Sequence, residues 1–154
     1  MTKFAANITT LFNEVEFLYR FEKAYQSGFR AVEFLFPYSF SPKSLKGKLV
    51  QFGLDQAMFN MPPGDWNKGE RGLAALPGRE EEFQQSVETA LIYARALSCK
   101  KMHAMSGTLN PAFSRQKHTS TFISNIRHAA DRFAEHGIEI CCRTLRAWCA
   151  HSQD

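Results

Sequence analysis

The feature that most constrains this chain is an alternation, repeated four times, of a short apolar run with a longer stretch of helical periodicity. Apolar runs fall at 3–7, 31–36, 54–59 and 101–105, and a fifth opens at 138–140. Between the first two, Phe17, Leu18, Phe21 and Ala24 share one face of a helix expected from Glu14 and closed by Gly28. Ser41 and Pro42 supply an N-cap and a first helical residue, Leu45, Leu49 and Phe52 the buried side, and Gly53 the stop. Glu80, Glu81 and Glu82 suit the positive end of the next helix, whose stripe is Phe83, Val87, Ala90, Leu91, Ala94 and Leu97. The last helix is expected from about Thr119, burying Phe122, Ile126, Ala129, Ala130 and Phe133 and closed by Gly137. The run at 31–36 is apolar almost throughout, as in a strand buried on both faces. Strands separated by helical crossovers of this length pair in parallel, so the pattern specifies an α/β fold.

In parallel α/β folds the side chains at the C-terminal ends of the strands line the site. That rule selects Asn7, Glu33, Asn60 and His103, each a polar residue at or near the end of an apolar run. His103 can donate and accept a hydrogen bond near neutral pH, although a histidine satisfied by a backbone carbonyl has the same sequence signature. Glu33 sits among apolar neighbours, where an unpaired carboxylate is costly, so it either pairs with a cation or belongs to the site. Asn7 and Asn60 either cap the loops that follow them or reach a ligand. Met102 and Met105 read as core.

Residues 60–82 carry three prolines and four glycines, with Trp66, Leu73 and Leu76 among the charges. A loop of that length inside a compact domain is functional or disordered, and its apolar residues point to an ordered lid. Asp65, Glu70 and Arg71 are expected to fix it by ion pairs. Neither G-x-x-x-x-G-K-[ST] nor G-x-G-x-x-G occurs, so no nucleotide cradle is indicated.

The chain of 154 residues is 44% hydrophobic, enough for one domain with a real core. Its net charge of +4 is spread along the chain, which argues against a nucleic-acid partner and suits a small carboxylate. There is no apolar run near the length of a membrane span and no signal-peptide pattern, so no membrane partner is expected and the chain reads as cytoplasmic. Cys99, Cys141, Cys142 and Cys149 have no C-x-x-C spacing, and neither a zinc site nor a disulfide framework is indicated.

Assembled, the stretches F-A-A-N, G-F-R-A-V-E-F-L-F-P-Y, P-P-G-D-W-N-K-G-E-R-G-L-A-A-L-P-G-R-E and N-I-R-H-A-A-D-R-F-A-E-H-G resemble the hydroxypyruvate isomerase family, within it the 2-oxo-tetronate isomerase branch. The resemblance runs over residues 1–140 and sets 141–154 apart as a tail unlike the family. It implies a (β/α)8 TIM barrel of the xylose-isomerase-like type, about 250 residues when whole, of which four and a half β/α units are present here. It further implies proton transfer between adjacent carbons of a small 2-keto acid through an enediol; the substrate contacts expected here are the residues that the strand-end rule selects, Asn7, Glu33, Asn60 and His103. In the wider fold family two glutamates carry the proton and help hold a divalent metal, Mg or Mn. No cofactor or metal ligand of that kind is expected from this chain itself.

The resemblance implies V-V-E-x-x-x-P-G-V after Ile140, with the catalytic glutamate third, whereas this chain has Cys141-Cys142-Arg143. Moving translation forward one base lets these codons give Val-Val-Glu, and those of Ala147, Trp148 and Cys149 give Pro, Gly and Val. The expectation is a truncated or frame-shifted chain, inactive as an isomerase by itself. Its open barrel edges would favour self-association or a partner chain.

Overall fold

A computed structural model of the protein describes residues 3–142. Arg143 and the tail that follows lie outside the described residues. The elements in order are β1 (Ala6–Asn7), α1 (Arg20–Gln26), β2 (Ala31–Phe34), α2 (Pro42–Phe52), β3 (Asp55–Asn60), α3 (Glu80–Leu97), β4 (Lys101–Ala104), α4 (Arg115–Ala134) and β5 (Glu139–Cys142). Among the described residues the strands form one five-stranded parallel sheet in the order β1-β2-β3-β4-β5. Consecutive strands are neighbours throughout, as in a partial β/α barrel.

Local chemistry accounts for the helix limits. Ser41 caps α2 by accepting the amide of Ser44 through its side chain at 3.1 Å, and Gly53 closes it at φ 61°. α1 starts later than the periodicity suggests, because Phe17–Tyr19 forms a tighter 3-10 turn ahead of it. α4 starts earlier, at Arg115, where the Ser114 hydroxyl accepts the amide of Lys117. Its buried side opens with polar residues, His118, Thr121 and Asn125, so the apolar pattern alone locates only the second half.

The core lies between the sheet and one layer of helices. Ala6, Val32, Phe34, Phe59, Met102 and Ala104 are buried with Phe21, Leu45, Leu49, Phe83, Val87, Ala90, Leu97 and Phe133 from the helices. Edge-to-face contacts link Phe17 with Phe21 and Phe34, and Phe34 stacks on Phe59. The opposite face of the sheet is covered less: Asn7, Glu33, Met58, His103 and Cys141 are all only half-buried. Among the described residues no helix is long and apolar enough to cross a membrane.

Candidate functional site

Strand register builds the site. Because alternate residues of a strand face opposite sides, in-register neighbours across a parallel sheet share a face. Asn7 pairs with Glu33, which pairs with Met58; Asn60 pairs with His103, which pairs with Cys141. A register shift between Val32 and Glu33 skips Ala57, so Val32 faces Gln56 while Glu33 faces Met58. A one-residue slip inverts every later side chain of a strand. The irregularity therefore places Asn60 on the less covered face with Glu33; without it, Asn60 would point into the helices.

The four strand-end residues form two pairs. Asn7 Nδ2 donates to Glu33 Oε1 at 3.0 Å, and Asn7 Oδ1 accepts the amide of Thr9 at 3.1 Å. Thr9 Oγ1 accepts the amide of Leu35 at 2.9 Å, joining the loop after β1 to the end of β2. Asn7 thus both caps its loop and orients the carboxylate. Glu33 has an amide as partner where a cation was one expectation; among the described residues no ion pair involves it. In the second pair, His103 Nδ1 lies 3.1 Å from Asn60 Oδ1 and Asn60 Nδ2 donates to Met105 Sδ at 3.6 Å. The carbonyl of Asn60 accepts from the Tyr38 hydroxyl at 2.7 Å, and burial pushes that phenol well above its ordinary pKa, keeping it a donor. Asn60 is 6% exposed. One partner of His103 is therefore a side-chain amide. Met105 carries part of this pair and is only half-buried, unlike Met102 in the core.

The long loop after β3 is ordered, and it stands as a wall tied to the loop after β4 and to α4. Gly72 and Ser106 form an antiparallel bridge, Ala75 N donates to Ser106 O at 2.7 Å, and Gly107 N donates to Arg71 O at 3.2 Å. From below, His118 Nδ1 lies 2.6 Å from Ala75 O, and Asn125 Nδ2 donates to Ala74 O at 3.0 Å. Asp65 pairs with Lys68 and Glu70 with Arg79, as the charges suggest. Arg71 instead lies 3.8 Å over the Trp66 ring, whose other neighbour is Phe36 at 5.0 Å. A pocket of ≈380 Å³ opens between this loop and the one after β4, lined by Lys68, Glu70, Leu76, Arg79, Thr108 and Asn110 among others. None of the four strand-end residues lines it.

Tyr38, Thr9 and Met105 escape the strand-end rule because they lie past the strands. Tyr38 ends the motif G-F-R-A-V-E-F-L-F-P-Y, and a phenol just after a strand-ending proline was the available signal. Among the described residues no group of three or more His, Cys, Asp or Glu side chains is placed to hold a metal ion.

Comparison with known proteins agrees with this architecture. A family model described as xylose isomerase-like TIM barrel matches residues 21–154. The chain is 48% identical over 145 residues to 2-oxo-tetronate isomerase of Haemophilus influenzae, covering 94% of this chain and 56% of the relative. Hydroxypyruvate isomerase of Escherichia coli is 46% identical over 138 residues, covering 90% and 54%. The crystal structure of AP endonuclease, family 2 from Brucella melitensis superposes with TM-score 0.89 at 52% identity, covering 92% of this chain and 55% of that one. The chain spans about half the length of the curated relatives it matches.

Proposed function

The chain belongs to the xylose isomerase-like TIM barrel family, and from that premise we propose that it carries the N-terminal, substrate-orienting half of an isomerase for a small hydroxy-keto acid. Relatives at 46–48% identity are named hydroxypyruvate or 2-oxo-tetronate isomerases. The observation that carries the reading is the pairing of Asn7 with Glu33 and of Asn60 with His103 on one face of the sheet, at the C-terminal strand ends.

Moving a proton between adjacent carbons needs a base at the acidic C–H and donors at the developing oxyanion. Here Glu33, oriented by Asn7, offers a carboxylate to a substrate hydroxyl, and His103, held by Asn60, offers a ring nitrogen to the neighbouring oxygen. The family's base position is Arg143 in this chain. The described residues offer no donor set that fits the divalent metal of the wider family. The proposal is accordingly ligand binding without turnover for the 154-residue chain.

Hydroxypyruvate titrated into the labelled chain should shift the amides of Asn7, Glu33, Asn60 and His103, while proton NMR in D2O shows neither isomerisation nor exchange at carbon. Absence of those shifts, or turnover, would overturn the reading. A nuclease reading, raised by the name of the Brucella structure, requires binding to an abasic-site duplex. The dispersed charge argues against it, and fluorescence anisotropy decides.

A second reading rests on the half-buried face of the sheet. The described sheet ends in β1 and β5, each with one neighbour, and its inner side presents Met58 and Cys141 beside the polar pairs. A second copy covering that face would remove apolar surface from water. Sedimentation velocity should then give a species of twice 17.5 kDa; a monomer across the accessible concentration range excludes it.

A further inference from the structure

We propose that Asn60 is a positioning residue that fixes the tautomer of His103, holding the proton on Nδ1 so that all acid–base and ligand chemistry of this imidazole takes place at Nε2. The inference deepens the binding reading above and rests on it only for what Nε2 acts upon.

An amide side chain has one accepting end and one donating end, and its neighbours decide which way round it sits. Asn60 lies between Met105 Sδ, 3.6 Å from Nδ2, and His103 Nδ1, 3.1 Å from Oδ1. A thioether has no hydrogen to give and accepts weakly, so the amide N–H belongs on its side. The reverse orientation would set the carbonyl oxygen against the sulfur, lone pair against lone pair. Oδ1 therefore faces the ring, and an acceptor facing Nδ1 requires an N–H there.

The backbone leaves the amide little freedom to do otherwise. Asn60 N donates to Leu35 O at 2.9 Å, its carbonyl accepts from Tyr38, and the next amide, Met61 N, donates to His103 O at 2.9 Å. The chain around Asn60 is thus tied to β2, to Tyr38 and to His103's own strand, and the residue is 6% exposed. With Nδ1 protonated in both charge states, the proton gained or lost sits at Nε2. Neutral His103 then has its acceptor at Nε2 and the imidazolium a donor there; that atom is buried in this structure, so a substrate hydroxyl, keto or carboxylate oxygen has to be brought to it. The ring nitrogen that acts on substrate is chosen by a residue on the adjacent strand.

The 154-residue chain labelled with 15N-histidine permits the test, its five histidines assigned by a His103→Gln control. Long-range 1H–15N correlation on the wild-type chain without ligand should show His103 as the Nδ1–H tautomer when neutral, the form that free histidine disfavours. Asn60→Ala should return the ring toward Nε2–H. Asn60→Asp should retain Nδ1–H and raise the titration midpoint by about 1–3 units, since a carboxylate would face the ring. Nε2–H in the wild-type spectrum overturns the proposal even if neither variant folds. So does Nδ1–H that persists unchanged in a folded Asn60→Ala. None of these spectra needs substrate, so failure of the binding reading leaves the tautomer result standing, and the converse also holds.

Discussion

Asn125, midway along α4, donates its Nδ2 to the carbonyl of Ala74 at 3.0 Å, binding a helix to a loop 51 residues earlier in the chain. The residue is 3% exposed, so no water stands ready to replace it. Asn125→Leu keeps the branched shape and the number of heavy atoms and removes the donor, leaving the Ala74 carbonyl to be buried without it. The expected loss is about 1–3 kcal/mol in urea unfolding. The amides of Gly72, Ala74 and Ala75 should exchange faster well before global unfolding. A change within about 0.5 kcal/mol would mean that the wall stands without this bond.

Gly72 and Gly47 should respond oppositely to alanine. Gly72 has φ +118°, and a Cβ there would run into the carbonyl of Met105, which is backbone and cannot move aside. Gly47 lies within α2 at an ordinary helical φ, and a methyl group added to it would meet nothing within 4 Å. Gly47→Ala should stabilise by about 0.5–1 kcal/mol, because glycine loses more backbone freedom in a helix. Gly72→Ala should destabilise by more than that gain and loosen the contact between the loops after β3 and β4. Thermal melts of both variants check the sign of each.

Thiol reactivity separates the described cysteines. Cys99 is 1% exposed, and burial pushes its thiol up to about 11. At pH 8 its thiolate fraction would be on the order of one in a thousand, and the reagent would also lack access. Cys141 is half-buried and Cys142 exposed. In the folded chain an aromatic disulfide reagent should therefore label Cys141 and Cys142 and leave Cys99 unlabelled until denaturant is added. Peptide mapping that finds Cys99 modified under native conditions would contradict its placement behind α3.

How far the sequence reaches can be judged from single elements. The strand–helix alternation is legible because each helix buries one apolar stripe against the sheet, and α3 follows its stripe from Phe83 to Leu97 at every position named. α2 is legible to the residue, since Ser41, Pro42 and Gly53 carry its caps in their own chemistry. The start of α4 is not, because His118 and Asn125 face loop carbonyls, and a helix side that meets bare backbone needs donors in place of apolar groups. The strand-end rule finds Asn7, Glu33, Asn60 and His103, but not how they pair. Glu33 finds its amide 26 residues away, and Asn60 reaches the inner face only through the slip at Ala57. Both depend on register, which is a property of two strands together. Arg71 departs from its expected ion pair for a similar reason: the Trp66 face, brought over by the turn at Trp66–Lys68, is nearer than a carboxylate.

The Glu70–Arg79 pair should make the wall pH-sensitive. Arg79 bridges Glu70 at 2.5 Å and Glu82 at 2.6 Å, and Glu70 also accepts the amide of Asp65. The hydrogen bond from Arg79, then that from Asp65 N, lowers the pKa of Glu70 below the usual carboxylate value. A carboxyl whose folded pKa is depressed stabilises the fold above its unfolded value, 4.5 here, and loses that contribution as pH falls through the lower folded value. The pair is partly exposed, so its net worth is modest and screened by salt. The readout must therefore be local. Trp66 sits in the same loop, stacked under Arg71, and its emission should hold steady from neutral pH to about 5 and change below 4.5. Arg79→Ala should move that change up toward the ordinary carboxylate range. Glu70→Gln should abolish it, while leaving acid unfolding driven by the separate Glu88–Arg132 pair in place. A Trp66 transition unaltered by both substitutions would show that the loop is held by its backbone bridge to Ser106 and not by this ion pair.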